Sequence, residues 1–264
     1  DETGNTLSRN QSFTAGINNY IGLNNALTLS GSYYETNLKP DYISSNRIIN
    51  YSYDYWASDL KFSRNTLNNM HFPDKGLILD ITAGVSKLRY ASQKTGNTEL
   101  PLSYNPDYNP ESFYTIRAGF RQYFSSGKRT TFSIGFETLY LTDSDTLSSR
   151  NNFFLLGGIH SDTRRSIPMT GFNPNEIKAR RMGLMRTELD IEFVRDLHIN
   201  IMADLAAMED NNYPYELTVL SGYGIGLGYN SIIGPVRAGV MYGASPAETH
   251  FSNFKSYVSI GYNF

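Results

Sequence analysis

The stretch "SGYGIGLGYN", residues 221–230, sets Gly222, Gly224, Gly226 and Gly228 at strict two-residue spacing. A dinucleotide-binding loop needs G-x-G-x-x-G between a strand and a helix, so that a phosphate can sit on the helix N-terminus. Here the spacing is wrong, and the continuation "SIIGPVRAGVMYG" reads as a second strand. In an extended chain the side chains alternate, so all four glycines share one face while Tyr223, Ile225, Leu227 and Tyr229 share the other. A strand with one bare face offers a smooth wall that a loop or plug can approach closely. The period of two is therefore the signal to follow outward.

It recurs along nearly the whole chain. In "SFTAGINNYIGL", Phe13, Ala15, Ile17, Ile21 and Leu23 fall on one side. In "GLILDITAGVSKL", Leu77, Leu79, Ile81, Ala83 and Val85 oppose Asp80, Thr82, Gly84 and Ser86. "TFSIGFETLY" sets Phe132, Ile134 and Phe136 against Ser133, Gly135 and Glu137, and "TELDIEF" sets Leu189, Ile191 and Phe193 against Glu188, Asp190 and Glu192. "YVSIGYNF" places Val258, Ile260, Tyr262 and Phe264 opposite Ser259, Gly261 and Asn263. This is dyad alternation, with no convincing amphipathic helix between the repeats.

Alternation alone also fits a soluble sandwich, and strand length separates the two. These segments run about nine to fourteen residues, against about five or six in a typical sandwich strand. Their polar face carries Arg117, Arg121, Glu137, Arg186, Glu188, Asp190 and Glu192, which a water-filled lumen accommodates. Tyrosines cluster near strand ends, as an interfacial girdle would place them, among 20 Tyr and 15 Phe against a single Trp. The reading is an all-β chain forming an antiparallel transmembrane β-barrel. About eleven strands emerge, near 11–22, 26–37, 48–64, 76–90, 112–124, 129–143, 182–194, 197–207, 217–229, 235–242 and 254–264. Bacterial single-chain barrels carry even numbers, so either two strands are merged here, giving about twelve, or the chain is the C-terminal part of a barrel of about 16 strands.

Charge and composition narrow the chemistry. A formal charge of −2 carries no basic field for nucleic acid, and the absence of cysteine removes disulfides and thiolate catalysis. His71, His160, His198 and His250 show no ligand spacing, so no metal or cofactor is expected, and no G-x-S-x-G nucleophile elbow exists. The expectation is that this chain is not an enzyme. Connections alternate between short ones (23–25, 125–129, 195–197, 230–235), a medium one (66–76) and long ones, the longest at about 144–181. Short periplasmic turns and long extracellular loops would put the C-terminus in the periplasm of a Gram-negative outer membrane.

Several stretches in order carry a resemblance. "LKFSRNTLNNMHFPDKGLIL", "NNFFLLGGIHSDTRRSIPMTGFNPNEI", "RTELDIEF", "INIMADLAAM" and "SGYGIGLGYNSIIGPVRAGVMYG" together resemble the barrels of the Omp85 superfamily (bacterial surface antigen, D15-type) across roughly residues 48 to 264. The resemblance implies one barrel domain over residues 1–264, a sixth extracellular loop folded back inside, and an Arg at the loop tip pairing with wall carboxylates. Here the tip reads Thr170-Gly171-Phe172, with Thr170 in place of that Arg, and the matching carboxylates are Glu188 and Asp204. A buried carboxylate pair needs a cation, so Arg164, Arg165 or another lumen Arg such as Arg186 is expected to compensate. The variant tip looks most like the subset of the superfamily associated with patatin-like phospholipase domains in the Bacteroidetes lineage. The resemblance further implies a C-terminal assembly signal, Tyr262 and Phe264, read by the barrel-assembly machinery. Its partners would be outer-membrane lipid and lipopolysaccharide, a client polypeptide or an N-terminal periplasmic domain, with a homodimer left open. Three functions stay in play: insertion or translocation of protein or lipid, a barrel that anchors or exports an N-terminal phospholipase domain, and a stand-alone pore.

Overall fold

A computed structural model describes residues 6–40, 49–95, 98–101, 112–142, 153–159, 166–209, 217–231, 234–244 and 254–260. The dyad repeats become strands β1 (Thr6–Ile21), β2 (Asn25–Pro40), β3 (Ile49–Asn65), β4 (Gly76–Thr95), β5 (Thr98–Pro101), β6 (Ser112–Ser125) and β7 (Thr130–Leu141). After the short strands β8 (Phe154–Leu156), β9 (Ser166–Ile167) and β10 (Ile177–Ala179) come β11 (Arg181–Val194), β12 (Leu197–Glu209), β13 (Leu217–Ser231), β14 (Gly234–Ala244) and β15 (Phe254–Ile260).

One antiparallel sheet runs β1-β2-β3-β4-β6-β7-β11-β12-β13-β14-β15, each strand bonded to the next, with β5 pairing only the far end of β4. These are the eleven expected strands with none merged, and several reach further than their alternation shows. β4 extends to Thr95 and β2 to Pro40. Their far ends lie beyond the apolar stretch, so the hydropathy pattern fades while the backbone ladder continues. Among the described residues no pairing joins β1 to β15, and no helix is long and apolar enough to cross a membrane. The turns at 22–24, 66–75, 126–129 and 195–196 share one end of the sheet with the end of β13, the start of β14 and the end of β15; the longer intervals leave from the other.

Alternation sorts the two faces. Outward lie Phe120, Phe136, Ile201, Leu205, Tyr223, Ile225, Leu227 and Val240, all exposed. Ile225 keeps 51% of its surface, where a soluble protein would bury it. Inward, the wall changes character along its length. Near the short turns it is polar: Ser133, Asp190, His198 and Asn200. Near the long connections it is apolar: Leu139, Met182, Leu184, Ala206, Met208 and Leu220 are all buried.

The expected polar inner face thus holds for the half near the short turns, and the other half is apolar. The long interval expected as one loop at about 144–181 holds a three-stranded sheet, with β8 antiparallel to β10 and parallel to β9. Its Phe154, Leu156, Ile167, Met169, Phe172 and Ala179 pack on those wall residues as one cluster. The wall is apolar there because it is covered by protein rather than by water. Tyr55, Ala57, Phe113 and Leu141, with Tyr34, form a smaller inner cluster alongside.

The two faces give a direct expectation. Ile225→Arg lowers unfolding free energy by about 2–4 kcal/mol if the position lies near the bilayer midplane. Thr82→Gln, on the polar inner face, stays within about 0.5 kcal/mol of wild type. Urea titration of protein refolded into liposomes, read by heat-modifiable gel migration, measures both; equal losses would mean that the faces are misassigned.

Candidate functional site

The sheet register puts one row of inward positions across six strands: Arg121, Gly135, Arg186, Asp204, Gly222 and Gly243. Two guanidiniums, one carboxylate and three bare backbones therefore stand side by side at mid-wall. Into the gap above Gly222 comes the loop tip. A Cβ at Gly222 would overlap the Thr170 carbonyl oxygen, and one at Gly243 would overlap the Gly171 carbonyl. Gly171 itself has φ of 90°, and a side chain on it would run into the Tyr242 carbonyl. Only glycine on both sides allows this approach.

Asp204 holds the tip. It is 3% exposed, and its Oδ2 accepts a hydrogen bond from the Thr170 backbone N–H at 2.7 Å. The Arg186 Nε lies 3.3 Å from Asp204 Oδ1, and the same guanidinium donates to the Pro168 carbonyl. Thus Arg186 bridges the wall carboxylate and the loop backbone at once. Asp204 thus meets a charged neighbour and a directed N–H, the partners a buried carboxylate requires.

Glu188 sits one row nearer the short turns and meets the tip indirectly. It pairs with Arg121 and accepts from Asn200 Nδ2 at 3.1 Å, while Arg121 also donates to Ser133 Oγ at 3.2 Å. A cavity of about 70 Å³ separates this pair from Thr170 and Asp204. The described residues thus bring together Thr170, Gly171, Asp204, Arg186, Gly222 and Gly224, whose Cβ would crowd the Thr170 methyl. Phe172 is 3% exposed and lies under Lys255, which also pairs with Glu176 at 2.5 Å. Gly226 faces Tyr257 and Gly228 faces Phe72, so the glycine face serves three different partners. Arg164, Arg165, Tyr262 and Phe264 lie outside the described residues.

Sequence reasoning missed Arg121 as the partner of Glu188, and Phe72, Lys255 and Tyr257 as interior residues. Arg121 was visible as an inward strand residue, but which carboxylate it meets depends on the β6–β7–β11 register. His198 likewise gains a partner, Asp190, at 3.0 Å. Among the described residues no group of three or more His, Asp or Glu is placed to hold a metal ion.

An antiparallel sheet that is apolar outside and occupied inside by its own loop defines a transmembrane β-barrel with an inserted loop. The chain belongs to the OMP85 superfamily, whose family model matches residues 9–264. Among solved structures it is similar to CdiB from Acinetobacter baumannii, at 12% identity and a TM-score of 0.54, covering 94% of this chain and 49% of that one. It is also similar to BamA from Haemophilus ducreyi lacking POTRA domains 1-3, at 13% identity and a TM-score of 0.42, covering 96% and 67%. The chain spans about half the length of the CdiB structure. No curated protein matches it. Membership in the superfamily places the barrel in a bacterial outer membrane.

The glycine notch can be tested against a control. Gly222→Val leaves no room for the Thr170 carbonyl and should loosen the segment that carries Lys178 and Arg180, raising its rate of cleavage by trypsin about tenfold or more. At Gly31 a Cβ meets nothing within 4 Å, so Gly31→Val should cleave at the wild-type rate. Equal rates in the two variants would show that the notch does not hold the tip.

Proposed function

We propose that this barrel inserts or translocates polypeptide or lipid at the outer membrane, with the inserted loop serving as an internal lock on the wall. The carrying observation is the Asp204–Arg186–Thr170 arrangement. Where the superfamily resemblance implies an arginine reaching from the loop tip, this chain has its guanidinium on the wall, at Arg186, and the tip answers with backbone groups. The lock is the same interaction with its donor on the other partner. Thr170 at the tip is what supports the second reading, a barrel anchoring an N-terminal phospholipase domain. A cation supplied from Arg186 accounts for that threonine without it.

In this reading residues 1–264 act as one barrel domain. The long connections face the exterior, and the short turns and the C-terminus face the periplasm, where Tyr262 and Phe264 would be read by the barrel-assembly machinery. The edge strand β15 pairs with β14 at seven positions, from Val236↔Ile260 to Tyr242↔Phe254. A terminal strand with no partner on its outer side among the described residues is the kind of surface to which a client strand adds by backbone hydrogen bonding.

The test uses the full-length protein in liposomes with an unfolded outer-membrane polypeptide as client. The expected result is protease-resistant client accumulating severalfold faster than with liposomes holding an unrelated barrel. Asp204→Ala strands Arg186 at a half-buried site, a change that typically costs about 3–5 kcal/mol when the pair is fully buried and less here. It should slow that accumulation and speed protease nicking of the loop, with Asp204→Asn intermediate. Client resistance no greater than with the unrelated barrel would sink the insertion reading.

A further inference from the structure

The connection between β3 and β4, residues 66–75, does more than turn the chain. It is stiffened by its own side chains. Asn68 Oδ1 accepts the backbone N–H groups of Asp74 and Lys75, both at 3.1 Å, and Asn69 Oδ1 accepts that of His71 at 3.0 Å. Its base is clamped where Thr66 Oγ1 accepts the Leu77 N–H at 2.9 Å, beside Gly76 at φ 118°, where any Cβ would strike the Thr66 carbonyl. A connection built only to reverse direction needs none of this; the neighbouring ones manage with two to four residues.

What the stiffened segment presents is Phe72, 5% exposed, pushed into the interior. Its seat is on β12, β13 and β14, which on the sheet lie beyond β6, β7 and β11. The segment therefore crosses the lumen. The ring stacks on His198 with centroids 3.9 Å apart and planes 10° apart. It fills the notch at Gly228, where a Cβ would lie 2.9 Å from it. The Arg237 guanidinium stands 4.9 Å from the ring centroid and donates to the His71 carbonyl at 2.5 Å. His198 is held in turn by Asp190. This half of the inner wall is polar, so Phe72 is not part of the apolar cluster around the loop. It is a single aromatic set on a charged, hydrogen-bonding wall.

Alongside it, from Leu67 and Pro73 of its own segment inward to Thr131, Ser133 and the Arg121–Glu188 pair, lies a polar cavity of about 250 Å³. Beyond that pair is the smaller cavity beneath Thr170. We propose that residues 66–75 form a plug at the short-turn mouth, with Phe72 as its stopper. The lumen is then closed twice in series, at Phe72 and at the loop tip, and it conducts ions and small solutes only when both closures are released.

Series closure makes a specific prediction for planar-bilayer conductance of the full protein. Phe72→Ala alone and Asp204→Ala alone each stay near the wild-type level, whereas the double variant conducts about tenfold more or greater. Phe72→Leu with Asp204→Ala, which keeps an apolar stopper, falls well below that double variant. If Asp204→Ala alone conducts as much as the double variant, Phe72 seals nothing and the proposal fails. Because the chain has no cysteine, a second measurement stands even if Phe72→Ala does not fold. Thr131→Cys, placed behind the stopper, should react with a bulky membrane-impermeant maleimide added from the short-turn side about tenfold or more slowly than Lys128→Cys in the exposed turn beside it. Comparable rates at the two positions would overturn the plug.

Discussion

Lipid offers no hydrogen bonds, and that one constraint organises everything else in this chain. Each backbone N–H and C=O at membrane depth must find its partner in a neighbouring strand, so the ladders from β1 to β15 are fixed and sequence variation is confined to side chains. The outer face has one task, to be apolar, and Phe120, Ile201, Ile225 and Val240 meet it. The inner face is freed from that task. Whatever occupies the interior has to be held there by inward side chains, because no hydrophobic difference between lipid and water acts on that side.

Two modes of holding share the interior. Toward the long connections the loop's small sheet lies on Leu139, Leu184, Ala206 and Leu220, and burial of apolar surface does the work. Toward the short turns the wall is charged, and contacts there are pairwise and directional: Arg121 with Glu188 and Asp190 with His198. The loop tip stands at the border of these regions. Pro168 and Thr170 lend only backbone groups to Arg186 and Asp204, so the tip's side-chain identity matters less than its ability to come close. That ability is set by Gly222 and Gly243 on the wall and Gly171 on the loop. A larger residue at any of the three would separate charges from backbone by an ångström or more, and hydrogen bonds weaken steeply over that distance.

The fold was legible because its signal is local. Alternation between neighbours three ångströms apart along the chain marks a strand without any knowledge of its partner, and each of the eleven wall strands could be found this way. The glycine face was legible for the same reason: Gly222, Gly224, Gly226 and Gly228 declare their common side by spacing alone. What comes to fill that face was not. Thr170, Tyr257 and Phe72 arrive from three separate parts of the chain, and nothing in "MHFPDK" distinguishes a turn that stays outside from one that crosses the lumen. The pairing of Arg121 with Glu188 was hidden likewise, because it depends on the register of β6, β7 and β11, and a two-residue slip in any of them would choose another carboxylate. The apolar half of the inner wall was present in the sequence at Leu139, Leu141, Met182 and Leu184, where the polar face loses its polarity at one end of adjoining strands. That feature marks the part of the wall that a covering element occupies.

The edge strand ties these regions together. The inward residues of β15 meet the interior. Lys255 reaches Glu176 and the Phe172 ring on the loop, while Tyr257 lies against Gly226 and Gly239. Gly239 carries the Tyr257 ring so closely that a Cβ there would sit 2.8 Å from it. Among the described residues β15 has one neighbouring strand, so it is held by its ladder on that side and by these side chains from within. Displacing the tip would remove the loop partners of Lys255 along with the loop groups that meet Asp204 and Arg186. Any coupling between the loop and the edge strand is reciprocal, so what loosens one loosens the other by the same coupling free energy.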